Sequence, residues 1–283
     1  MRVPLPPQLV EQAREFAEGR RTPVEPRDAA TVVLLRDGPN GPEIYLLRRH
    51  TTMAFAGGMC VFPGGGVDPR DFDRSVGWAG PTASAWSARL GAPVEMAGAL
   101  VCAAVRETFE ESGVLLAGPT ADAVVADTTA GDWERERRAL EAKDLSFTDF
   151  LERRGLVLRS DLLGAWSAWC TPVFEPRRFR TRFFVAVLPT GQRTRDVSTE
   201  SSSVTWLSAR SACDAADAGD LGMLPPTYLT CLEMAQYDAA SDVLAASATR
   251  DVEMFTPTVE GEGETAMLSM PERLEPLVAA RRG

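Results

Sequence analysis

The amino-acid sequence predicts an α/β protein built as one elaborated domain. Short β-branched and aromatic segments, typical of strands, alternate along the chain with longer segments of helical character. The 283 residues would suit one large domain or two small ones, at roughly 150 residues per domain. Because the sequence shows neither an internal repeat nor a flexible linker, a single domain is favoured.

The first part of the chain is expected to form a helix and then a β-hairpin. A helix is predicted over Gln8–Glu18, and a connector broken by prolines follows it. Residues 30–35 and 44–48 are short apolar runs typical of buried strands, and the turn-forming residues between them predict a hairpin. Beyond the sharp loop at 62–66, we expect residues 67–93 to be irregular.

The remainder of the chain is expected to contain one long helix and several shorter elements. Residues 94–112 have helical character, and Gly113 is expected to end this helix. The final residues, 251–283, are acidic and poorly periodic. The other predicted elements are helices within 132–155, strands at 166–174, 180–188 and 203–207, and helices near 208–218 and 226–247.

The charge of the chain argues against a protein that binds nucleic acid. It has 30 basic and 40 acidic residues, a net charge of −10, which disfavours nonspecific attraction to phosphates. No apolar run approaches the roughly 18 residues that a membrane span needs, and the opening residues lack the apolar core of a secretion signal. We therefore expect a soluble cytoplasmic protein that binds neither nucleic acid nor membrane.

The cysteine and histidine content narrows the chemistry. The five cysteines are far apart and form no CxxC pair, so buried free thiols in a reducing compartment are expected rather than disulfides. A single histidine, His50, argues against a His-rich zinc site and against a Ser-His or Cys-His hydrolase. If the chain is an enzyme, carboxylates and a hard cation are the expected tools.

Three glutamates near the end of the long helix carry the clearest chemical signal. Glu107, Glu110 and Glu111 stand at i, i+3 and i+4, so they share one helix face. Like charges at this spacing repel, and a divalent cation such as Mg²⁺ or Mn²⁺ would turn that repulsion into binding. Arg106, four residues before Glu110, can hold one carboxylate in place. The alternative interpretation is a solvated acidic helix end.

The surroundings of this cluster resemble the Nudix hydrolases. The box of that family runs G-x5-E-x7-R-E-U-x-E-E-x-G-U, where U is a bulky apolar residue. Its second half is matched in register by Arg106, Glu107, Glu110, Glu111, Gly113 and Val114, and its opening glycine by Gly65 of the loop at 62–66. Two positions depart from the box. Gly98 stands eight residues before Arg106, where the first box glutamate is expected, and Thr108 replaces the apolar residue.

The spacing within the box identifies a subgroup. Gly65 lies 41 positions before Arg106, whereas the plain box spans 14, so about 27 residues are inserted. This insertion, within residues 67–97, resembles the long-insert subgroup that contains the peroxisomal-type acyl-CoA diphosphatases and their bacterial relatives. The resemblance implies a Nudix-type α/β/α sandwich with a mixed sheet and extra helices. Residues 1–28 would be an N-terminal extension, 29–250 the single domain, and 251–283 a tail that packs on it or is partly mobile.

The resemblance also implies an activity. Nudix enzymes hydrolyse a pyrophosphate bond in a nucleoside diphosphate linked to a group X, with Mg²⁺ or Mn²⁺. The subgroup implies CoA or acyl-CoA as substrate, giving 3′,5′-ADP and (acyl-)4′-phosphopantetheine. NADH, ADP-ribose or another dinucleotide is the first alternative, and a non-catalytic binding or regulatory protein is the second. Homodimers are frequent in the family, so a homodimer is a further expectation.

The resemblance assigns roles to individual residues. Glu110 and Glu111 would be the main metal ligands, Glu107 a third ligand or the base that takes a proton from water, and Arg106 their orienting partner. Glu200, in a loop beyond the box, is a candidate for a distal acidic residue, although it could equally be a turn glutamate in water.

Other residues are candidates for substrate binding. Gly64, Gly65 and Gly66 would let the backbone approach a ligand closely. Arginines suit bidentate phosphate contacts, and the candidates are Arg48, Arg178, Arg180 and Arg182; a solvated strand edge with acidic neighbours is the alternative. Trp78 and Trp86 in the insertion would either stack on adenine or form the small core that lets the insertion pack.

Overall fold

A mixed β-sheet runs through the chain, whose residues 5–53, 55–261 and 263–281 are described by the computed structural model. The strands are β1 (Arg27–Gly38), β2 (Gly41–Arg49), β3 (Cys60–Val61), β4 (Gly64–Gly66), β5 (Trp78–Ala79), β6 (Ala117–Gly118), β7 (Val157–Arg159), β8 (Gly164–Cys170), β9 (Phe179–Val187), β10 (Ser201–Ser208), β11 (Met254–Phe255), β12 (Val259–Glu260) and β13 (Met267–Leu268). The helices are α1 (Pro7–Ala17), α2 (Ala83–Leu90), α3 (Val94–Ser112), α4 (Gly131–Glu141), α5 (Phe147–Arg153), α6 (Ala209–Ala218), α7 (Pro225–Met234), α8 (Ala240–Ser247) and α9 (Glu275–Ala280). Short 3₁₀ helices span Pro69–Phe72, Ser160–Leu162, Gly263–Thr265 and Glu272–Leu274.

The main sheet has the order β10-β2-β1-β9-β8-β11, with β3 beside β2 and β4 beside β1. Strands β1 and β2 form the expected hairpin, in which Leu35 pairs with Ile44. Strand β1 is also parallel to β9 and antiparallel to β4, so it lies at the centre of the sheet. The glycine loop, residues 62–66, is therefore hydrogen-bonded directly to the central strand.

Helices cover both faces of this sheet, which confirms the predicted α/β class. Because side chains alternate along a strand, Val32 and Leu34 of β1 join the hydrophobic cluster that contains α2, α3 and α5. Val33 and Leu35 join a second cluster, formed with α6, α7 and α8 on the opposite face. The result is an α/β/α arrangement with the glutamate-bearing helix α3 buried against one face.

Residues 67–93 are more regular than the sequence analysis expected. Helix α2 begins after Thr82, whose hydroxyl oxygen accepts a hydrogen bond from the Ala85 amide, and it ends at Gly91 with a left-handed φ of 57°. Trp86 and Leu90, one turn apart, are buried in the core beneath α3. Both helix signals are present in the sequence, but the many prolines and glycines around them concealed an eight-residue helix.

The predicted helix near 226–247 is instead two helices, α7 and α8, separated by residues 235–239. A tertiary contact lies at the start of the second helix, where the carboxylate of Asp37, in the β1–β2 hairpin, accepts a hydrogen bond from the Ala240 amide at 2.8 Å. This contact satisfies a free amide at the start of α8 in the way that a capping side chain does. A partner 203 positions away in the chain cannot be inferred from local periodicity.

The last residues that the structure describes contact the body of the protein. Strand β11 pairs in parallel with β8, β12 and β13 form an antiparallel pair, and α9 packs in the cluster with α7. At the other end, the Leu5 amide donates to the Ala266 carbonyl at 2.8 Å. The division into an extension, one domain and a tail stays a prediction.

The five cysteines are free and buried, as expected from their spacing. Burial raises the pKa of Cys60, Cys102, Cys213 and Cys231. Within the described residues, no single helix is long and apolar enough to span a membrane; α2 and α3, which meet at a bend of 94°, satisfy that test only as a pair and by length and composition alone.

Candidate active site

Helix α3 positions the three glutamates beside the glycine loop. Its alanine-rich faces pack in the core beneath the sheet, and the helix ends where Gly113 adopts a left-handed φ of 74°. Thr108, in the position where the Nudix box has an apolar residue, is fully buried, and its hydroxyl donates to the Ala104 carbonyl at 2.7 Å. Its polar group is therefore satisfied within the helix, and the residue packs as an apolar one would.

Arg106 joins several carboxylates in a nearly buried cluster. Its Nε and Nη2 donate to the two oxygens of Asp71 at 3.0 and 2.9 Å, a bidentate ion pair. Its Nη1 donates to Glu107 at 2.7 Å and to Glu110 at 3.3 Å, and Nη2 also reaches the Gly66 carbonyl at 3.1 Å. Burial alone would lower the pKa of Arg106, but these carboxylates outweigh it and raise that pKa.

The glycine loop lies close to α3 because its glycines carry no side chains. The Gly64 amide donates to Glu111 Oε2 at 2.7 Å. A Cβ on Gly65 would stand 2.5 Å from Glu107 Oε1, and a Cβ on Gly64 would stand 2.5 Å from the Ala30 carbonyl oxygen. The same addition at Gly66 would meet no atom closer than 4.0 Å. Two of the three glycines are therefore required by contacts within the protein, and Gly65 makes room for a glutamate.

The glutamates are held in an environment that opposes their joint ionisation. Burial is the largest cause that raises the pKa of Glu107, Glu110 and Glu111, and neighbouring carboxylates add to it. The pKa of Glu110 rises to about 7. Arg106 counteracts this increase at Glu107 and Glu110, and the Gly64 amide does so at Glu111. One guanidinium thus partly compensates several carboxylates.

The donor chemistry of this cluster fits a hard divalent cation. Within the described residues, no three His, Cys, Asp or Glu side chains converge as a preformed metal site. Oxygens of Glu107 and Glu110 are engaged by Arg106, and one oxygen of Glu111 is engaged by Gly64. The ligand type nevertheless suits Mg²⁺ or Mn²⁺, because carboxylates with raised pKa values gain stability from added positive charge.

Glu200 lies at the edge of the cluster. Its carboxylate is 51% exposed and accepts a hydrogen bond from Arg49 Nη2 at 2.9 Å. Its charge contributes to the raised pKa of Glu107 and Glu111, which places it within electrostatic reach of both. The exposed His50 contacts this residue through its backbone, because its amide donates to the Glu200 carbonyl at 3.0 Å.

Residues 79–234 match the family model described as the NUDT19 Nudix domain, which covers more than half of the chain and includes α3 with its glutamates. The chain belongs to the Nudix family. It is a pyrophosphohydrolase of that family.

Individual relatives agree with this assignment. The chain is 26% identical to the acyl-coenzyme A diphosphatase NUDT19 of Gallus gallus, over 80% of this chain and 72% of that protein. It is 27% identical to the putative nudix hydrolase 7 of Caenorhabditis elegans, over 74% of this chain and 61% of that protein. Among solved structures, a NUDIX hydrolase from Alicyclobacillus acidocaldarius matches with a TM-score of 0.66 and 28% identity, over 81% of this chain and 99% of that one.

The first acidic residue of the Nudix box is supplied by Asp71, which the sequence analysis missed. Counting back from Arg106 leads to Gly98, whose added Cβ would lie 3.5 Å from Ala83, in the contact between α3 and α2. Counting forward from Gly65 by the spacing G-x5 leads to Asp71, which forms the bidentate pair with Arg106. The insertion lies between Asp71 and Arg106, so only the forward count could have found this residue.

Strand alternation places Arg49, rather than Arg48, beside the Nudix carboxylates. Arg49 pairs with Glu200, and its charge lowers the pKa of Glu111. Arg48 is exposed, and its Nε lies 3.4 Å from the Gly58 carbonyl. It lines a groove of about 360 Å³ with Leu46, Cys60, Ser203, Thr205, Leu207, Ala215, Asp220 and Leu221.

The candidate arginines within β9 and directly before it mostly contact other groups of the protein. Arg178 is buried and donates to the Thr171 and Val24 carbonyls, so it ties the N-terminal extension to the sheet. Arg180 and Arg182 both pair with Asp28, at 3.0 and 3.4 Å. Burial lowers the pKa of Arg182, and its Nε lacks a partner among the described residues. Arg180, whose side chain is 38% exposed, is the most accessible of the three.

The tryptophans of the insertion serve packing. Trp86 is fully buried, and its ring centroid lies 5.7 Å from that of Phe184 in the core. Trp78 is half-buried, packs against the same cluster and donates from Nε1 to the Pro81 carbonyl at 2.7 Å. These contacts match the interpretation of the two residues as the small core of the insertion. Glu95, outside the box register, pairs with Arg74 at the surface.

Proposed function

We propose that this Nudix enzyme hydrolyses the pyrophosphate bond of CoA or acyl-CoA with Mg²⁺ or Mn²⁺, giving 3′,5′-ADP and (acyl-)4′-phosphopantetheine. The observation that carries the proposal is the cluster in which Arg106 holds Glu107 and Glu110 beside the glycine loop and Asp71. The choice of CoA is supported by the chicken relative, whose name describes an acyl-CoA diphosphatase.

The carboxylates would divide between cation binding and proton transfer. Glu110 and Glu111 would hold the cation, with Glu107 as a third ligand or as the base, and Glu200 as a distal ligand. A bound Mg²⁺ or Mn²⁺ would neutralise the pyrophosphate and lower the pKa of the attacking water. Water would form the new P–O bond, its proton would pass to the base, and the bridging P–O bond would break with its electron pair on the departing phosphate.

Arg106 would orient this machinery rather than bind substrate. Its guanidinium donates to Asp71, Glu107, Glu110 and the Gly66 carbonyl, and its side chain is 10% exposed. A guanidinium fixed in this way holds two glutamates in one orientation, and such supporting contacts commonly change metal affinity or activity by about 10–100-fold.

A substrate panel tests the activity. The protein would be incubated with Mg²⁺ or Mn²⁺ and CoA, acyl-CoA, NADH, ADP-ribose or diadenosine polyphosphate, and the products resolved by chromatography. We expect CoA or acyl-CoA to give 3′,5′-ADP. Turnover of NADH or ADP-ribose without turnover of CoA would replace the proposed substrate, and the absence of any turnover would refute the activity.

A pair of variants tests the metal assignment. Glu110→Gln combined with Glu111→Gln should abolish turnover and Mn²⁺ binding, the latter measured by electron paramagnetic resonance. Glu95→Gln is the matched control, because it removes a glutamate charge from the exposed start of the same helix, where the residue pairs with Arg74. Full Mn²⁺ binding by the double variant would refute the assignment.

The 3′-phosphate of CoA tests the arginine proposal. Among the candidate arginines Arg48, Arg178, Arg180 and Arg182, the accessible Arg180 is proposed to contact this phosphate. Arg180→Ala should then raise the KM for CoA more than the KM for 3′-dephospho-CoA, which serves as the internal control. An equal change for both substrates would exclude this contact.

Two expectations from the sequence stay predictions. Light scattering coupled to size-exclusion chromatography would test the homodimer, for which a mass of about twice 30.6 kDa is expected. Fractionation of cells that express the protein would test the cytoplasmic location.

A further inference from the structure

Helix α4 contacts the C-terminal end of α3, the carboxylate helix that carries Glu107, Glu110 and Glu111. Arg137 of α4 is almost fully buried, and its Nη1 donates to the Glu110 carbonyl oxygen at 2.6 Å. The same nitrogen donates to Glu141 Oε2 at 2.9 Å, and the Glu134 carboxylate receives the other two donors of the guanidinium. The Arg137 guanidinium therefore satisfies a carbonyl near the end of α3, and its positive charge complements the negative end of the helix.

The second oxygen of Glu141 holds a different part of the site. Glu141 Oε1 accepts hydrogen bonds from the Thr199 amide at 2.8 Å and from the Thr199 hydroxyl at 2.7 Å. Thr199 directly precedes Glu200. One carboxylate thus bridges the guanidinium that holds the end of α3 and the loop that carries the distal acidic residue.

A second contact fixes the beginning of the same loop. The Arg195 amide donates to the Ser112 carbonyl at 2.8 Å, and Arg195 Nη1 donates to Glu134 Oε2 at 2.6 Å. Burial would raise the pKa of Glu134, but hydrogen bonds from Arg137, Arg195 and Arg138 outweigh it and lower that pKa to about 2. This anchor is therefore charged throughout the neutral range, and Glu141 holds the other end of the loop at Thr199, next to Glu200.

The side chain of Glu200 has few restraints, whereas its carbonyl accepts from the His50 amide at 3.0 Å and its amide donates to Ser198 Oγ at 3.2 Å. Its carboxylate is 51% exposed and accepts a hydrogen bond from Arg49 Nη2 at 2.9 Å. Where the backbone of residues 196–200 lies consequently decides how far the carboxylate stands from Glu107 and Glu111. Displacements of about 1 Å in such groups can reduce rates by about 100-fold.

We propose that Glu141 is a positioning residue, which fixes the Glu200 loop against the carboxylate helix through Thr199 and Arg137. The inference rests on the proposed function in one respect, the assignment of Glu200 to the cation site. In this role Glu141 acts through the protein, because one of its oxygens accepts from Arg137 and the other from Thr199.

The first test measures the loop without metal or substrate. Hydrogen exchange of residues 195–200 would be compared in the unsubstituted protein and in Glu141→Ala, with Glu136→Ala as the matched control. Glu136 lies on the same helix and pairs with Arg154, away from the loop. We expect exchange at Thr199 and Glu200 to become about ten-fold faster in Glu141→Ala only. Unchanged exchange in Glu141→Ala, or an equal increase in both variants, would overturn the inference.

The second test measures the consequence for the site. Mn²⁺ affinity, measured by electron paramagnetic resonance, and kcat should both fall about ten-fold or more in Glu141→Ala, with KM changed less, as is usual for a lost supporting contact. Glu136→Ala should retain both. Faster loop exchange with unchanged Mn²⁺ affinity and kcat would overturn the positioning role.

A milder variant keeps the inference testable if Glu141→Ala does not fold. Thr199→Val removes only the exposed hydroxyl donor and keeps the amide, so it should shift loop exchange and Mn²⁺ affinity in the same direction by a smaller factor. No shift would overturn the inference. A failure of the CoA proposal would be recognised separately, because neither loop exchange nor Mn²⁺ affinity depends on the substrate.

Discussion

Asp71 and Arg106 form a buried ion pair between the 3₁₀ helix Pro69–Phe72 and α3. The Asp71 side chain is 1% exposed, and its oxygens receive both the guanidinium and the Asp68 amide. Removing one member of a buried pair commonly destabilises a protein by about 3–5 kcal/mol, because the other charge loses its partner. In this chain, Arg106 would still contact Glu107 and Glu110, so the pairing should matter for orientation as well as for stability.

Asp71→Asn should therefore reduce kcat by about ten-fold or more and destabilise the protein by on the order of 3 kcal/mol. Steady-state kinetics and urea unfolding would measure the two effects. Asp71→Glu is the control, because it keeps the charge and places the usual box residue at this position. An Asn variant with the kcat and the urea midpoint of the parent would contradict this role.

Gly65 offers a second residue-scale prediction. An added Cβ would lie 2.5 Å from Glu107 Oε1, so Gly65→Ala should displace this glutamate and reduce kcat by about ten-fold or more. Gly98→Ala is a suitable control: its Cβ would meet Ala83 at an ordinary 3.5 Å, and alanine is favoured over glycine within a helix by about 1 kcal/mol. We expect the control to keep its kcat and to unfold at higher urea concentration. Equal kcat in both variants would disprove the steric argument.

At the scale of elements, a four-residue 3₁₀ helix fixes Asp71. Asp68 caps Pro69–Phe72: its carboxylate accepts from the Arg70 amide, and the Asp71 carboxylate accepts from the Asp68 amide. The Arg70 guanidinium also donates to Asp68, and these hydrogen bonds lower the pKa of Asp68 to about 2 despite partial burial. The cap therefore stabilises the segment that supplies the box acid.

This cap predicts a pH-dependent contribution to stability. The folded-state pKa of Asp68 lies below the value of about 3.9 for an unfolded chain, so its stabilisation is present above pH 4 and is lost as the pH falls toward 2. Asp68→Asn should be destabilised by about 1–2 kcal/mol at pH 7, and the difference from the parent should shrink between pH 4 and pH 2.5. Urea unfolding across this range measures the difference, and a constant value would contradict the assignment.

At the scale of the whole molecule, negative charge is concentrated where a cation is proposed to bind. The chain has a net charge of −10. Within the site, burial and the mutual repulsion of the carboxylates raise the pKa values of Glu107, Glu110 and Glu111. An anionic substrate would meet an unfavourable field at this site without a cation. Divalent binding would both relieve the repulsion among carboxylates and make the site acceptable to a pyrophosphate.

Divalent cations should consequently stabilise the folded protein. A ligand present at 100 times its dissociation constant contributes about 2.7 kcal/mol when it binds only the folded state. Mg²⁺ or Mn²⁺ should raise the Tm, excess EDTA should reverse the increase, and the Glu110→Gln, Glu111→Gln double variant should show no increase. Scanning calorimetry with Na⁺ at matched ionic strength separates binding from screening. An equal rise with Na⁺ would refute specific binding.

Local patterns predicted the elements that carry the chemistry. The long helix was expected over 94–112 and spans Val94–Ser112, because its apolar face and the glycine after it are both local signals. The β1–β2 hairpin follows from two apolar runs and a turn. The helix spacing also placed Glu107, Glu110 and Glu111 on one face, which is a consequence of helical geometry alone.

The sequence by itself determined the α/β class, the carboxylate helix and, through the box, the family. Only the tertiary structure decided which distant groups meet these carboxylates: Asp71 rather than position 98, Arg49 rather than Arg48, and α4 through Glu141. The physical reason is the range of the interactions. Helix periodicity and turn signals act over a few residues, whereas strand facing, the path of a 27-residue insertion and ion pairs across the chain depend on how the elements pack.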